Sequence, residues 1–121
     1  MRYLSMIRID ETRAQQPSER LMHDMGKLIE ELSRNGTLIS TAGLRPTAEG
    51  ARVRLRKGEL STTDGPFTES KEVIGGYAII EAASLSEAIG VAGRFLAIHG
   101  SECDIECELR QIGRPEGCNG R

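Results

Sequence analysis

The run Arg2-Tyr3-Leu4-Ser5-Met6-Ile7-Arg8-Ile9 is rich in β-formers and apolar on both faces, since alternation sets Leu4 and Met6 on one side and Tyr3, Ile7 and Ile9 on the other. A strand of this kind has to be covered from two sides. With 121 residues the chain has room for one domain. The cover must therefore come from a handful of elements, or from a second chain.

The rest of the sequence supplies those elements in order. After a polar linker over residues 10–16, Pro17 and Ser18 open a helix in which Leu21, Met25, Leu28, Ile29 and Leu32 recur at helical spacing, and Gly36 stops it. Residues 37–50 hold two glycines and a proline and read as a loop, with a short extended piece at Leu38-Ile39-Ser40. A hairpin follows: Val53 and Leu55 alternate with Arg52, Arg54 and Arg56, Lys57-Gly58 turns, and Leu60 and Thr62 return. Residues 73–81 form the longest apolar strand, and its Gly75-Gly76 pair predicts a bulge or a close backbone approach. Ser84-Leu85-Ser86-Glu87 has capping-box spacing. The helix behind it carries Leu85, Ala88, Ile89, Ala92, Phe95 and Leu96 and ends at His99-Gly100. In residues 104–112, Ile105, Cys107 and Leu109 alternate inward against Glu106, Glu108 and Arg110. Residues 1–112 thus read as a single domain and 113–121 as a flexible tail.

Strand, helix, hairpin or extra strand, long strand, helix, strand is the order of a ferredoxin-like βαββαβ α+β domain, an antiparallel sheet with two helices on one face. Two helices leave the other face bare. The simplest cover is a second subunit, so the expectation is a homodimer packed sheet to sheet.

Composition removes several functional classes. Sixteen basic against 18 acidic side chains leave a net charge of −2, which pulls the chain toward neither nucleic acid nor an anionic membrane. Two Tyr, two Phe and no Trp give little from which to build a base-stacking platform. No apolar run approaches the ~18 residues needed to span a bilayer, and the N-terminal stretch lacks the apolar segment of a signal peptide. The three cysteines, Cys103, Cys107 and Cys118, are odd in number and crowded toward the end, so a disulfide framework is not expected and a reducing cytoplasm fits best. Cys103 and Cys107 on one strand would stand roughly 13 Å apart, too far to share an ion. Neither a metal nor a cofactor is expected.

The most informative segment is Asp64-Gly65-Pro66-Phe67. A turn aspartate usually caps the amide two residues on, but that position is Pro66, which has no N–H. Asp64 is left either to cap the amide of Phe67 or a later residue, or to project from a rigid turn into a cleft as a base or as the orienting partner of one. The stretch Asp64-Gly65-Pro66-Phe67-Thr68-Glu69-Ser70-Lys71-Glu72, followed by Gly75-Gly76-Tyr77, resembles the DGPF-motif branch of the YCII-related proteins, and the resemblance extends over nearly the whole chain. It implies a dimeric α+β barrel, a cleft between sheet and helices, and a bacterial cytoplasmic setting, often beside extracytoplasmic-function sigma factors. It implies no settled activity. Some relatives are thought to use a His–Asp pair, and one type removes chloride from a chlorinated hydroquinone. Asp64 matches the motif's aspartate. The histidine's place falls on Met25, and the nearby histidine is His23, on the helical face opposite Leu21, Met25, Leu28 and Leu32.

The candidate site residues are therefore Asp64 and His23 for catalysis, with Tyr77, Lys71, Glu72 and Phe67 for ligand binding. Each also has a structural reading. Tyr77 can be a core ring, Lys71 and Glu72 a solvated turn, and His99 a helix-end imidazole bonded to the last carbonyls. Arg52, Arg54 and Arg56 read as a solvated basic strip. Two functions remain open: a small lyase- or hydrolase-like enzyme using Asp64 on an unknown small molecule, or a non-catalytic ligand-binding, regulatory or interaction module linked to those sigma factors.

Overall fold

The computed structural model describes residues 1–13, 16–67 and 70–113. In chain order they form β1 (Arg2–Ile9), α1 (Glu19–Arg34), β2 (Leu38–Gly43), β3 (Ala51–Arg56), β4 (Glu59–Asp64), β5 (Val73–Glu81), α2 (Leu85–His99) and β6 (Glu106–Gln111), with short 3₁₀ turns at Glu11–Arg13 and Thr47–Glu49. Four strands make an antiparallel sheet in the order β2-β5-β1-β6; β3 and β4 pair only with each other, as a ribbon inserted between β2 and β5. This is the α+β architecture expected, with both helices on one face.

Each helix begins where a serine supplies the missing acceptor. Ser18 Oγ accepts from the Leu21 amide at 3.1 Å, and Ser84 Oγ from the Glu87 amide at 3.2 Å. Both stop near a glycine with positive φ, Gly36 at 83° and Gly100 at 57°. α1 buries Leu21, Leu28 and Leu32, and α2 buries Ala88, Ala92 and Phe95. These meet Tyr3, Leu38, Ala78 and Ile80 from the sheet to form the core. Directly paired residues share a face, so the Tyr3–Ile80 and Ser5–Ala78 pairs lie under the helices while Leu4, Met6, Tyr77 and Ile79 occupy the helix-free face, half-buried. Ser5 is buried, with its Oγ 2.9 Å from Cys107 Sγ.

Gly75 is the extra residue of a bulge, since Ile7 pairs with Gly76 and Arg8 with Ile74. A Cβ on Gly75 would come within 2.6 Å of Ile9 Cδ1, and one on Gly76 within 3.1 Å of the Ala42 carbonyl oxygen. The hairpin turn uses Lys57 at φ 50° and Gly58 at φ 80°, the paired left-handed residues that suit the twist of a two-residue loop.

The structure departs from the sequence reading at three places. The extended piece at residues 38–40 is a full strand to Gly43, and its second half, where Thr41, Ala42 and Gly43 are exposed, is held by pairing with β5 and by the Thr41 hydroxyl, which donates to the Tyr77 carbonyl at 2.9 Å. Cys103 precedes β6, so it does not share a strand with Cys107. The Phe67 amide donates to Thr47 Oγ1 at 3.4 Å, not to Asp64. The tail over 114–121 lies outside the described residues.

Candidate functional site

The chain leaves β1 at Ile9 and turns at once. Asp10 Oδ1 accepts from the Thr12 amide at 3.0 Å and its hydroxyl at 2.6 Å, which tightens the 3₁₀ turn Glu11–Arg13. Glu11 is thereby aimed at Thr47, whose amide and hydroxyl each donate to its carboxylate at 2.6 Å. Thr47 thus ties together the exit of β1 and the segment after β4. Beside it the Gly65 amide donates to the Gly50 carbonyl at 3.0 Å, closing the base of the ribbon. The Gly65–Pro66 peptide is cis.

Between these segments lies a cleft of about 410 Å³. Ile9, Leu44, Pro46, Pro66, Phe67 and Ile74 make its walls largely apolar, and Glu11, Thr12, Arg45 and Ser70 bring polar groups to its edge. That volume and lining suit a ring-sized organic molecule. Arg52 lies over the Phe67 ring, 3.9 Å from its centroid, and its Nη2 donates to Ser70 Oγ at 3.2 Å, so the aromatic wall is braced from behind. Arg45 is held by Glu49, with Nε and Nη2 on the two carboxylate oxygens.

The carboxylates at the edge are occupied. The Thr12 hydroxyl and amide hold Asp10 below the usual carboxylate range, and the Thr47 hydroxyl and amide do the same for Glu11. Both are held ionised by these bonds and are thereby weak bases, which suits anchoring and local negative potential better than proton abstraction.

Of the sequence candidates, Phe67 lines the cleft. Asp64 is exposed at the end of β4 opposite Ala51, outside the lining. Lys71 and Glu72 are exposed, with Glu72 3.7 Å from Arg8 Nε on the helix-free side. Tyr77 lies on that same face of β5, its hydroxyl 3.3 Å from Ser40 Oγ. His23 is exposed on α1, and His99 Nδ1 lies 3.0 Å from the Phe95 carbonyl at the end of α2. These positions do not converge on one centre. Glu11, Thr47, Arg45 and Ser70 were not singled out from sequence; the contact between Glu11 and Thr47 spans 36 positions and leaves no local pattern. Among the described residues, no group of three His, Cys, Asp or Glu side chains could hold a metal ion.

A β2-β5-β1-β6 sheet with two helices on one face, and a β3–β4 ribbon inserted in the β2–β5 connection, define a ferredoxin-like α+β protein. The chain belongs to the YCII-related family: residues 1–101 match the YCII-related domain. It is similar to the uncharacterized protein R00369 of Rhizobium meliloti (strain 1021), with 37% identity over 79 residues, 65% of this chain. The match spans 64% of that relative's length. No helix among the described residues is long and apolar enough to cross a membrane.

Proposed function

We propose that this YCII-related chain is a ligand-binding protein of the DGPF branch, acting in the bacterial cytoplasm as a homodimer and holding a small, mostly apolar molecule in the cleft beside Phe67. The observation that carries the reading is the cleft itself, about 410 Å³ with an aromatic and aliphatic wall whose rim is fixed through Thr47. Asp10 and Glu11, held ionised at one edge, favour a neutral or cationic polar group on the ligand over a carboxylate. The half-buried residues Leu4, Met6, Tyr77 and Ile79 on the helix-free face support packing against a second copy. A regulatory role beside an extracytoplasmic-function sigma factor is the setting that goes with this branch.

A thermal-shift screen of phenols, small aromatic amines and aromatic acids tests it, because a ligand that binds only the folded state raises the melting temperature whatever its chemistry. Neutral rings and amines should raise it, aromatic acids should not, and Phe67→Ala should abolish the rise. A screen in which nothing stabilises the protein, or in which Phe67→Ala responds like wild type, would remove the cleft reading. For the dimer, sedimentation as a monomer at micromolar concentration is the contrary result. The catalytic alternative has its own test. Asp64→Asn that keeps binding but loses turnover of a bound ligand would convert the binding protein into an enzyme.

A further inference from the structure

Apart from the half-buried Arg52, the ribbon β3–β4 is exposed, and its large apolar side chains face solvent: Val53, Leu55 and Leu60 are 71%, 66% and 74% accessible. Alternation and register sort it into two faces. Val53 and Leu55 lie with Thr62 and Leu60 on one, and on the other Arg52, Arg54 and Arg56 stand at every second position opposite Thr63, Ser61 and Glu59. A two-stranded ribbon of this kind is marginal unless something packs on it.

At the far edge of the main sheet the complementary pattern occurs. Asp104, Glu106 and Glu108 are exposed and alternate with Ile105, Cys107 and Leu109, which are half-buried. Register with β1 puts Glu106, Glu108 and Arg110 on the helix-free face, with Glu106 opposite Arg8, and Cys107 and Leu109 under the helices, so that face is acidic over the first half of β6. β6 is the last strand in its sheet, so its outer N–H and C=O groups await a partner. Glu108 lies 3.7 Å from Arg8, whereas among the described residues no ion pair engages Arg54, Arg56, Asp104 or Glu106.

The geometry points to β3 of one copy pairing along the start of β6 of a second copy of this chain, with the arginine face of the ribbon continuing the acidic stretch Asp104, Glu106 and Glu108. This rests on the dimer reading above and adds where each copy grips the other. In a paired sheet, opposed residues share a face, so alternating arginines beside alternating carboxylates become cross-strand ion pairs. The same register carries Val53, Leu55 and Leu60 to the helix side. α2 packs over β6, and Arg94, bonded to Glu31 of α1, marks its inner flank. At about 100° per residue, Leu85, Ile89 and Leu96 fall on the opposite flank, overhanging the edge beyond β6. Leu85 and Ile89 are 51% and 56% exposed there. An added strand would thus be met by charge on one face and by apolar side chains on the other. Within one chain the ribbon springs from the β2 side, three strand spacings or roughly 14 Å from β6. A two-fold axis running along the strands between face-to-face sheets brings the β2 side of one copy to the β6 edge of the other, so each copy lends a ribbon and receives one.

Charge reversal tests the contact. The variants Arg54→Glu/Arg56→Glu and Asp104→Arg/Glu106→Arg alter only exposed side chains, and far-UV circular dichroism should show each folded as wild type. Each alone should dimerise about tenfold more weakly or worse by sedimentation equilibrium, since like charges then oppose along the edge. An equimolar mixture should recover wild-type affinity as a heterodimer, because both ribbon contacts in it are complementary. Unchanged dimerisation of the two variants, or a mixture that stays dissociated, overturns the ribbon contact while leaving a sheet-packed dimer standing. A wild-type protein that is monomeric at micromolar concentration overturns both.

Discussion

Replacing Gly65 by alanine probes the joint at the rim of the cleft with one methyl group. A Cβ there would stand 1.6 Å from the Thr47 carbonyl oxygen and 2.5 Å from its carbon. Van der Waals contact requires about 3.5 Å, so one segment must retreat by nearly 2 Å, and the obstacle is backbone, which has no rotamer to give. A retreat of that size carries Thr47 away from Glu11 and Phe67, and Gly65 away from Gly50. The cost should fall at the upper end of the overpacking range, about 3 kcal/mol. At roughly 4 °C per kcal/mol for a chain of this size, that is a melting temperature about 12 °C lower. The control is the same substitution at Gly26. It lies exposed in the middle of α1, and a Cβ there meets nothing within 4 Å. Helix propensity then predicts a gain of about 0.5–1 kcal/mol and a rise of a few degrees. Thermal and urea unfolding followed by circular dichroism give both numbers. If Gly65→Ala melts within about 2 °C of wild type, the Thr47 joint is not the constraint described.

Two further outcomes are expected. Glu11, Glu31, Glu81 and Glu102 are held below the ordinary glutamate range by hydrogen bonds, chiefly from Thr47, Arg94, the N-terminal amine and Ser18 respectively. Stability from these groups is therefore complete above the ordinary glutamate range and is lost as pH falls through their lowered values. The urea midpoint should drop between about pH 5 and pH 3, and Glu102→Gln should flatten part of that drop. Ser84→Ala should cost about 1 kcal/mol through the lost cap. Ser18→Ala should cost more in the same urea titration, because its hydroxyl also donates to Glu102 Oε2 at 2.7 Å.

Local periodicity made most of the fold legible. The alternation around Lys57-Gly58, the serine caps and the Gly75-Gly76 bulge all lie where the residues themselves demand them. The edge strand β2 was legible only in part, because Thr41-Ala42-Gly43 has no apolar alternation and takes its conformation from hydrogen bonds to β5. The cleft was legible at one wall. Phe67 belongs to a recognisable turn, but Glu11 reads as part of a polar linker until folding brings Thr47 to it. Asp64 opens the segment whose sequence resembles the DGPF motif, yet strand pairing leaves it at the end of a ribbon, away from the apolar wall its neighbour Phe67 helps to form.

The ribbon begins and ends at one spot, with Gly50 and Gly65 joined by a hydrogen bond of 3.0 Å. A segment whose two ends already touch adds little chain-closure entropy to the rest of the domain. It is in effect a cassette: residues between those glycines can be shortened, lengthened or exchanged for another hairpin while the four-stranded sheet keeps its connections. Diversity in what such a chain recognises can thus accumulate in the cassette at little cost to folding, and a swap of ribbons between relatives should transfer partner preference with it.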